Sequence, residues 1–375
     1  MTTTLAKIPL MDLKQQYLSL RGELVAAATR VMDSGVFILG PEGAAFEREF
    51  GAAHDAPHCA GVSSGTSALQ LALEACGVGP GDEVAVPAFT FIATATVVSA
   101  LGAKPVLVDV DPATLTMDPK DLAARLTPKT KAVVPVHLFG RPADMGPILA
   151  VAKERGLRVV EDCAQGHLAR YGGRCVGSLG DCGAFSFYPS KNLGAMGDAG
   201  ALTTADPKLQ ELFIMLRNVG RKPGGHYEHV RVGHNCRLDE LQAAVLRVKL
   251  PYLAAWTEAK RKSAELYRRA LAGLPLRLPP EDAPGMRQVY TLFVIQADRR
   301  DALSAHLTKA GIGNGVYYPA PLHRMPAYQH LGLGEGSLPR SEAASRAALA
   351  LPMYAELTEE SIGRIADSIR SFYQG

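Results

Sequence analysis

Lys191 stands where neither a solvated surface nor an apolar core would ordinarily place a lysine. In GAFSFYPSKNLGAMGDAG (183–200) it follows a run of alternating apolar residues and precedes closely spaced glycines and alanines. An ε-amine that acts as a nucleophile must be partly neutral at working pH, which desolvation or nearby positive charge can achieve. Glycines 194, 197 and 200 allow tight turns and the close approach of a flat ligand. Taken alone, a lysine is more often a surface residue. Two further segments could act with it. VVEDCAQ (159–165) ends an apolar run on Glu161 and Asp162, and a carboxylate at the mouth of an apolar strand is costly unless a cation or donors satisfy it. Facing a pyridine nitrogen, Asp162 would form a charge-assisted hydrogen bond and keep that nitrogen protonated; a structural cap or ion pair is the alternative. SSGTSALQLAL (63–73) puts hydroxyls and a glycine at a strand-to-helix turn, suited either to a phosphate or to plain helix capping.

The elements that must position these residues alternate between two periods. Strand patterns fall at 58–64, 83–88, 105–110, 132–139, 158–163, 183–188 and 200–204, with amphipathic helices near 66–77, 92–101, 119–126 and 143–155. Continuous apolar strands joined by helical crossovers imply a largely parallel seven-stranded α/β sheet covered on both faces, with room for an antiparallel member at the end. From Leu238 to Leu271 the pattern is helical, with Pro251 dividing it. LPLRLPPEDAPG (274–285) marks a boundary. The tail reads strand 289–296, helix 300–310, strand 315–318 and helices near 340–350 and 358–373, a small α+β domain. The division expected is 1–250 for the large domain and 251–375 for the small one. Ligands of open α/β sheets bind beyond the carboxyl ends of the strands. There stand Ser63 to Thr66, Phe89 to Phe91, His137 and Gly140, Glu161, Asp162 and Gln165, and Lys191.

Bulk properties exclude several classes. The 375 residues carry a net charge of +3, so no charge excess favours nucleic acid or an anionic membrane. The six cysteines include no CxxC pair and read as reduced thiols of a cytoplasmic protein. Neither a signal sequence nor a membrane span is expected. GVGPGD (77–82) follows a helix rather than a strand, and no GxxxxGK[ST] occurs, so a dinucleotide or nucleoside triphosphate fits poorly. His226, His229 and His234 lack cysteine or carboxylate support in their Gly-rich loop, so no metal is expected.

Taken together, SGVFILGPEGAAFEREF, SSGTSAL, PAFTFIATA, VEDCAQ, FSFYPSKNLGAMGDAGAL, LRNVGR, GHNCRLDELQAA and YPAPLH resemble, in order and over essentially the whole chain, the PLP-dependent nucleotide-sugar aminotransferases of the DegT/DnrJ/StrS type. That resemblance implies the aspartate aminotransferase type I fold. It also implies that Lys191 holds pyridoxal 5'-phosphate covalently and shuttles a proton. Asp162 would pair with the pyridine nitrogen, Gln165 would meet the ring hydroxyl, and Gly65, Thr66 and Ser186 would seat the phosphate. Phe91, in preference to Phe89, would stack on the ring. Asn235 would reach the phosphate of a neighbouring subunit, making the active site a property of a homodimer. Dehydratase relatives carry histidine at the lysine position, so the resemblance with Lys191 implies transamination; the amino donor it implies is L-glutamate, with glutamine as the alternative.

Within the family, FSFYPSKNLGAMGDAGA and GHNCRLDELQAA look closest to enzymes aminating C3 of a dTDP-3-keto-6-deoxyhexose. Gly166-His167-Leu168 and Ser190 depart from that branch, and the UDP-3-keto-glucuronate branch, a 4-keto sugar nucleotide or a PLP-binding regulator are the alternatives. His167, Tyr188, Arg237, Tyr317 and His323 are candidate substrate contacts, each with a packing or bracing role as the alternative.

Overall fold

A computed structural model describes residues 7–374 of the protein. Along the first half lie α1 (Leu13–Ser34), α2 (Pro41–Ala53), β1 (His58–Val62), α3 (Gly65–Ala75), β2 (Glu83–Pro87), α4 (Ala93–Ala100), β3 (Lys104–Val108), α5 (Pro119–Arg125), β4 (Thr130–Val133), α6 (Met145–Arg155) and β5 (Arg158–Asp162). The short β6 (Arg170–Tyr171) and β7 (Arg174–Cys175) precede β8 (Cys182–Ser186), β9 (Gly200–Thr204) and α7 (Pro207–Leu216). The seven strands order as β1-β9-β8-β5-β4-β2-β3. All pair in parallel except β9, which runs antiparallel to both β8 and β1. The antiparallel member the spacing allows is β9, inserted one place in from the edge.

Alternation along the strands builds the two faces. Val84 and Val86 of β2, Val160 of β5 and Ala184 of β8 pack with α3, α4 and α7. Val159, on the opposite side, joins Ile148 and Met145 of α6. Phe185 and Phe187 meet Phe46 and Phe50 of α2. Both faces of the sheet are thus dry, which explains why its strands read as unbroken apolar runs.

After the sheet, α8 (Glu240–Lys249) and α9 (Leu253–Ala270) are separated by a 3-10 turn at Leu250–Tyr252, where Pro251 removes an amide donor. A second sheet of order β10-β12-β13 follows, built from β10 (Leu276–Arg277), β12 (Phe293–Ala297) and β13 (Ala348–Leu351). Between β10 and β12, β11 (Met286–Arg287) pairs instead with β6. The remaining helices are α10 (Arg300–Lys309), α11 (Pro339–Ala347) and α12 (Glu359–Gln374). Phe293 and Ile295 face α9, α10 and α12. Val294, and Leu292 just before the strand, face Phe89, Val136 and Phe139 at the carboxyl edge of the large sheet. One strand therefore serves its own core and the wall of the crevice.

Two expectations fail in this region. Residues 315–318 form no strand; only Gly315 bridges, to Ala350. Residues 348–351 are not the end of a helix but β13. Arg300 takes the Ser345 and Ala348 carbonyls, each at 3.1 Å, so helical bonding stops there. Ala348 to Leu351 then divide their side chains between the two cores, a strand's alternation rather than a helix's.

Candidate active site

Register brings the chemistry to one place. Asp162 aligns with Ala184, Ser186 aligns with Gly200, and Gly200 aligns with Val62, so the loops after β1, β5 and β8 open side by side. The Ser64 side chain caps α3 by accepting from the Ser67 amide at 3.0 Å. The Gly65 and Thr66 amides of the first turn remain available, as at any helix start. A Cβ on Gly65 would lie 2.5 Å from the Ser186 Cβ. Glycine is thus required for the loop to touch Ser186, and the contact yields a seat of helix amides with a hydroxyl beside them. That is a donor set for a dianionic phosphate.

Asp162 is buried. Oδ2 accepts the Thr94 hydroxyl at 2.9 Å and Oδ1 the Ala164 amide at 3.1 Å. Burial raises its pKa above the ordinary carboxylate value, while Ala164, Thr94 and the charge of Lys191 act the other way. Each oxygen retains acceptor capacity for a cationic ring N–H. Lys191 is half-buried. Desolvation lowers its pKa from 10.5 to about 8, with Asp162 opposing. Such an amine has an appreciable neutral fraction near neutral pH, the condition for nucleophilic and proton-transfer work.

Around this pair lies an aromatic and amide shell. Gln165 Oε1 accepts the Phe139 amide at 2.6 Å, and Nε2 donates to the Tyr318 hydroxyl at 3.2 Å. Phe89 is buried edge-on against Phe139 and Tyr318. Phe91 is 56% exposed, offers an open face, and lies 6.2 Å from the Tyr318 ring centroid. Tyr188 is exposed. Its amide donates to Ser186 Oγ, and its carbonyl accepts the Lys191 amide at 2.8 Å.

Two proposed substrate contacts are corrected. His167 is fully buried among Phe50, His54, Phe185 and Phe187; it is a core histidine with no open face. His323 is 1% exposed and its Nε2 lies 3.0 Å from Glu342 Oε1, so it braces a turn instead of lining the crevice. Arg237 is half-buried and donates to Asn218 Oδ1 at 3.2 Å. Asn235 is exposed on the adjoining segment, bridged to Asn218. Tyr317 is half-buried beside Tyr318. Thr94, Phe139 and Tyr318 were missed. Thr94 and Tyr318 carried a signal, as members of PAFTFIATA and YPAPLH.

The three loop histidines act separately: His234 meets Glu74 at 2.8 Å and His229 the Val219 carbonyl at 2.9 Å, while His226 lies against the Tyr227 ring. Among the described residues, His137, Glu161 and Cys163 have the spacing of a metal-ligand group. The Glu161 oxygens, however, already accept the Gly177, Leu179 and Gly180 amides and His137.

The DegT/DnrJ/EryC1/StrS aminotransferase family profile matches residues 19–370. The chain is 46% identical to dTDP-3-amino-3,4,6-trideoxy-alpha-D-glucose transaminase of Streptomyces venezuelae, covering 98% of this chain and 96% of that one. It is also 46% identical to UDP-N-acetyl-3-dehydro-alpha-D-glucosamine 3-aminotransferase of Acidithiobacillus ferrooxidans, over 98% of each. Among solved structures, that of S. venezuelae DesV in complex with a ketimine intermediate superposes with a TM-score of 0.95 at 46% identity, covering 98% and 99% of the two chains. Other solved neighbours are described in PLP and PMP forms.

Proposed function

The chain belongs to the DegT/DnrJ/EryC1/StrS aminotransferase family and is a PLP-dependent sugar-nucleotide aminotransferase; from this premise we propose that it moves the amino group of L-glutamate to carbon 3 of a dTDP-3-keto-6-deoxyhexose, giving a 3-amino-3,6-dideoxy sugar nucleotide. The observation that carries the position is the shared numbering in two relatives at equal identity. One is named for a 3-amino dTDP sugar and the other for a 3-dehydro UDP sugar. The second of them favours one alternative, a UDP-linked 3-keto sugar.

The site residues suit this work. Bound pyridoxal phosphate supplies an electron sink for ionising the C–H bond beside the substrate nitrogen. In our reading Asp162 holds a ring nitrogen protonated, with Thr94 and the Ala164 amide fixing its carboxylate. Gly65, Thr66 and Ser186 would hold the phosphate, Phe91 would stack on the ring, and Gln165 would meet the ring hydroxyl. Lys191 would hold the cofactor and, as a neutral amine, would take up and return a proton at its Nζ. Tyr188, Arg237 and Tyr317 remain candidates for the sugar nucleotide.

The same reading makes the enzyme a homodimer with Asn235 reaching across, and divides the chain near residue 250. The consecutive Val36, Phe37, Ile38 and Leu39, exposed at 40–48%, support a partner on that face. No helix among the described residues is long and apolar enough to cross a membrane. The deciding experiment offers glutamate with matched dTDP- and UDP-linked 3-keto and 4-keto sugars and reads amination by mass spectrometry. Preference for a 4-keto sugar would overturn the position, and preference for UDP would overturn the nucleotide.

A further inference from the structure

The segment that carries Lys191 is held from behind by two buried lysines. Lys260 of α9 donates to Asn192 Oδ1 at 2.7 Å, and Asn192 Nδ2 donates to the Val289 carbonyl at 3.2 Å. Lys249 of α8 donates to the Gly194 carbonyl at 2.7 Å. Gly194 is itself packed so tightly that a Cβ would stand 2.2 Å from the Pro189 carbonyl oxygen. Lys260, Asn192 and Lys249 are 8%, 5% and 5% exposed. A buried ammonium is costly unless it is paired or hydrogen-bonded, and each of these two donates to an oxygen of the Lys191 segment. Burial lowers both lysines to about 8, and Glu356 partly offsets this for Lys260. One small cavity is lined by Lys191, Asn192 and Lys260 together.

The two anchors differ in what they can control. Lys249 fixes the turn at Gly194, three residues past Lys191. Lys260 grips the side chain of the next residue, and Asn192 is fixed at its other end to the chain entering the second sheet. We infer that Lys260, acting through Asn192, is a positioning residue for Lys191: it sets the direction in which the Lys191 side chain leaves the backbone. Proton transfer tolerates little misplacement, so an amine tilted by a loosened neighbour loses rate before it loses binding. This rests on Lys191 as the cofactor-bearing amine, which Lys191→Ala tests separately by loss of the visible band of the bound cofactor.

The experiment compares Lys260→Met, Lys260→Gln and Asn192→Leu as cofactor-loaded enzymes. Readouts are kcat and KM for glutamate, the visible circular dichroism of the bound cofactor, and the thermal midpoint. Lys260→Met is expected to lower kcat about 10- to 100-fold with KM changed less than about threefold, and to alter the visible dichroic band. Lys260→Gln keeps a donor for Asn192 and recovers most of both. Asn192→Leu reproduces the loss, and the double variant Lys260→Met/Asn192→Leu is no worse than either single change. Wild-type dichroism and kcat in Lys260→Met overturn the inference. So do multiplying losses in the double variant, or losses in Lys260→Gln equal to those of Lys260→Met. Should Lys260→Met fail to fold, Asn192→Leu decides: unchanged dichroism in that variant is fatal. If the band is absent from wild type, or persists in Lys191→Ala, the premise fails instead.

Discussion

Thr94 donates its hydroxyl to Oδ2 of Asp162 at 2.9 Å across 68 residues of sequence, joining the start of α4 to the end of β5. Both groups are buried, and a hydrogen bond to a buried carboxylate contributes about 1.5–3 kcal/mol. Thr94→Val keeps the shape and removes the donor. The variant should bind pyridoxal phosphate roughly 10- to 100-fold more weakly, read by titrating cofactor-free protein. Thr90→Val is the control, since Thr90 reaches Thr94 at 3.3 Å and has no bond to the carboxylate. Equal affinities for Thr94→Val and wild type would remove Thr94 from the site.

Lys191 sets a pH dependence whose sign follows from burial. With the amine lowered to about 8, the rate at which cofactor-free protein recombines with pyridoxal phosphate should rise about tenfold per pH unit below 8 and level off above it. Asp162→Asn removes the opposing charge and should move the midpoint lower. A midpoint near that of a free lysine would contradict the burial argument. Stability is linked to the same shift. Lys191, Lys249 and Lys260 all fall from 10.5 to about 8, so between those values the unfolded chain binds more protons and stability rises with pH. Four buried thiols, Cys59, Cys163, Cys175 and Cys182, are raised from 9.0. Above pH 9 they ionise in the unfolded chain first and oppose the gain. Denaturant midpoints in reducing buffer should therefore climb from pH 8 to 9 and then flatten or fall.

The main sheet was legible because its strands are dry on both faces and its helices cross over between them; each of the seven lies within a few residues of its apolar run. Lys191 and Asp162 were legible because their residue types contradict their surroundings. What stayed hidden depends on contacts between distant segments. Thr94 looks like any helical threonine until β5 is placed beside it. Tyr318 stands next to Tyr317, and no one-dimensional pattern tells which hydroxyl meets Gln165. His167 has the residue type of a ligand contact, but only tertiary packing reveals the phenyl rings that enclose it. Strand β13 looked helical because Ala348 to Leu351 continue a helix-forming alanine run, and Arg300 stops that helix from 45 residues away.

The enclosure of His167 makes a prediction at acid pH. Burial lowers His167 well below 6.5, and His54 beside it to about 4. Below pH 6.5 the unfolded chain takes up protons that the folded one refuses. Stability should fall as pH drops from 6.5 towards 4, by up to about 1.4 kcal/mol per pH unit for each histidine. His167→Leu fills the space with an apolar side chain and should reduce that slope relative to wild type, measured by urea unfolding at pH 6.5, 5.5 and 4.5. The same variant should leave KM for the sugar nucleotide unchanged. A raised KM with an unchanged acid slope would return His167 to the substrate pocket.

The proposed reach of Asn235 into a partner's site can be tested by mixing variants. Asn235 is exposed, on a segment whose Tyr227, Val230 and Val232 are 87%, 51% and 88% exposed. Its backbone bridges to that of Asn218. If it contacts the phosphate of the partner's site, Lys191→Ala and Asn235→Ala damage different chains of the same site. Each variant alone should be inactive or strongly impaired. In a hybrid dimer one site combines the intact Lys191 of one chain with the intact Asn235 of the other, and the second site collects both lesions. Mixing the variants in equal amounts with exchange of subunits should therefore restore about a quarter of wild-type turnover. Native mass spectrometry verifies that hybrids form. Hybrids without recovered turnover would place Asn235 in the site of its own chain or outside any site.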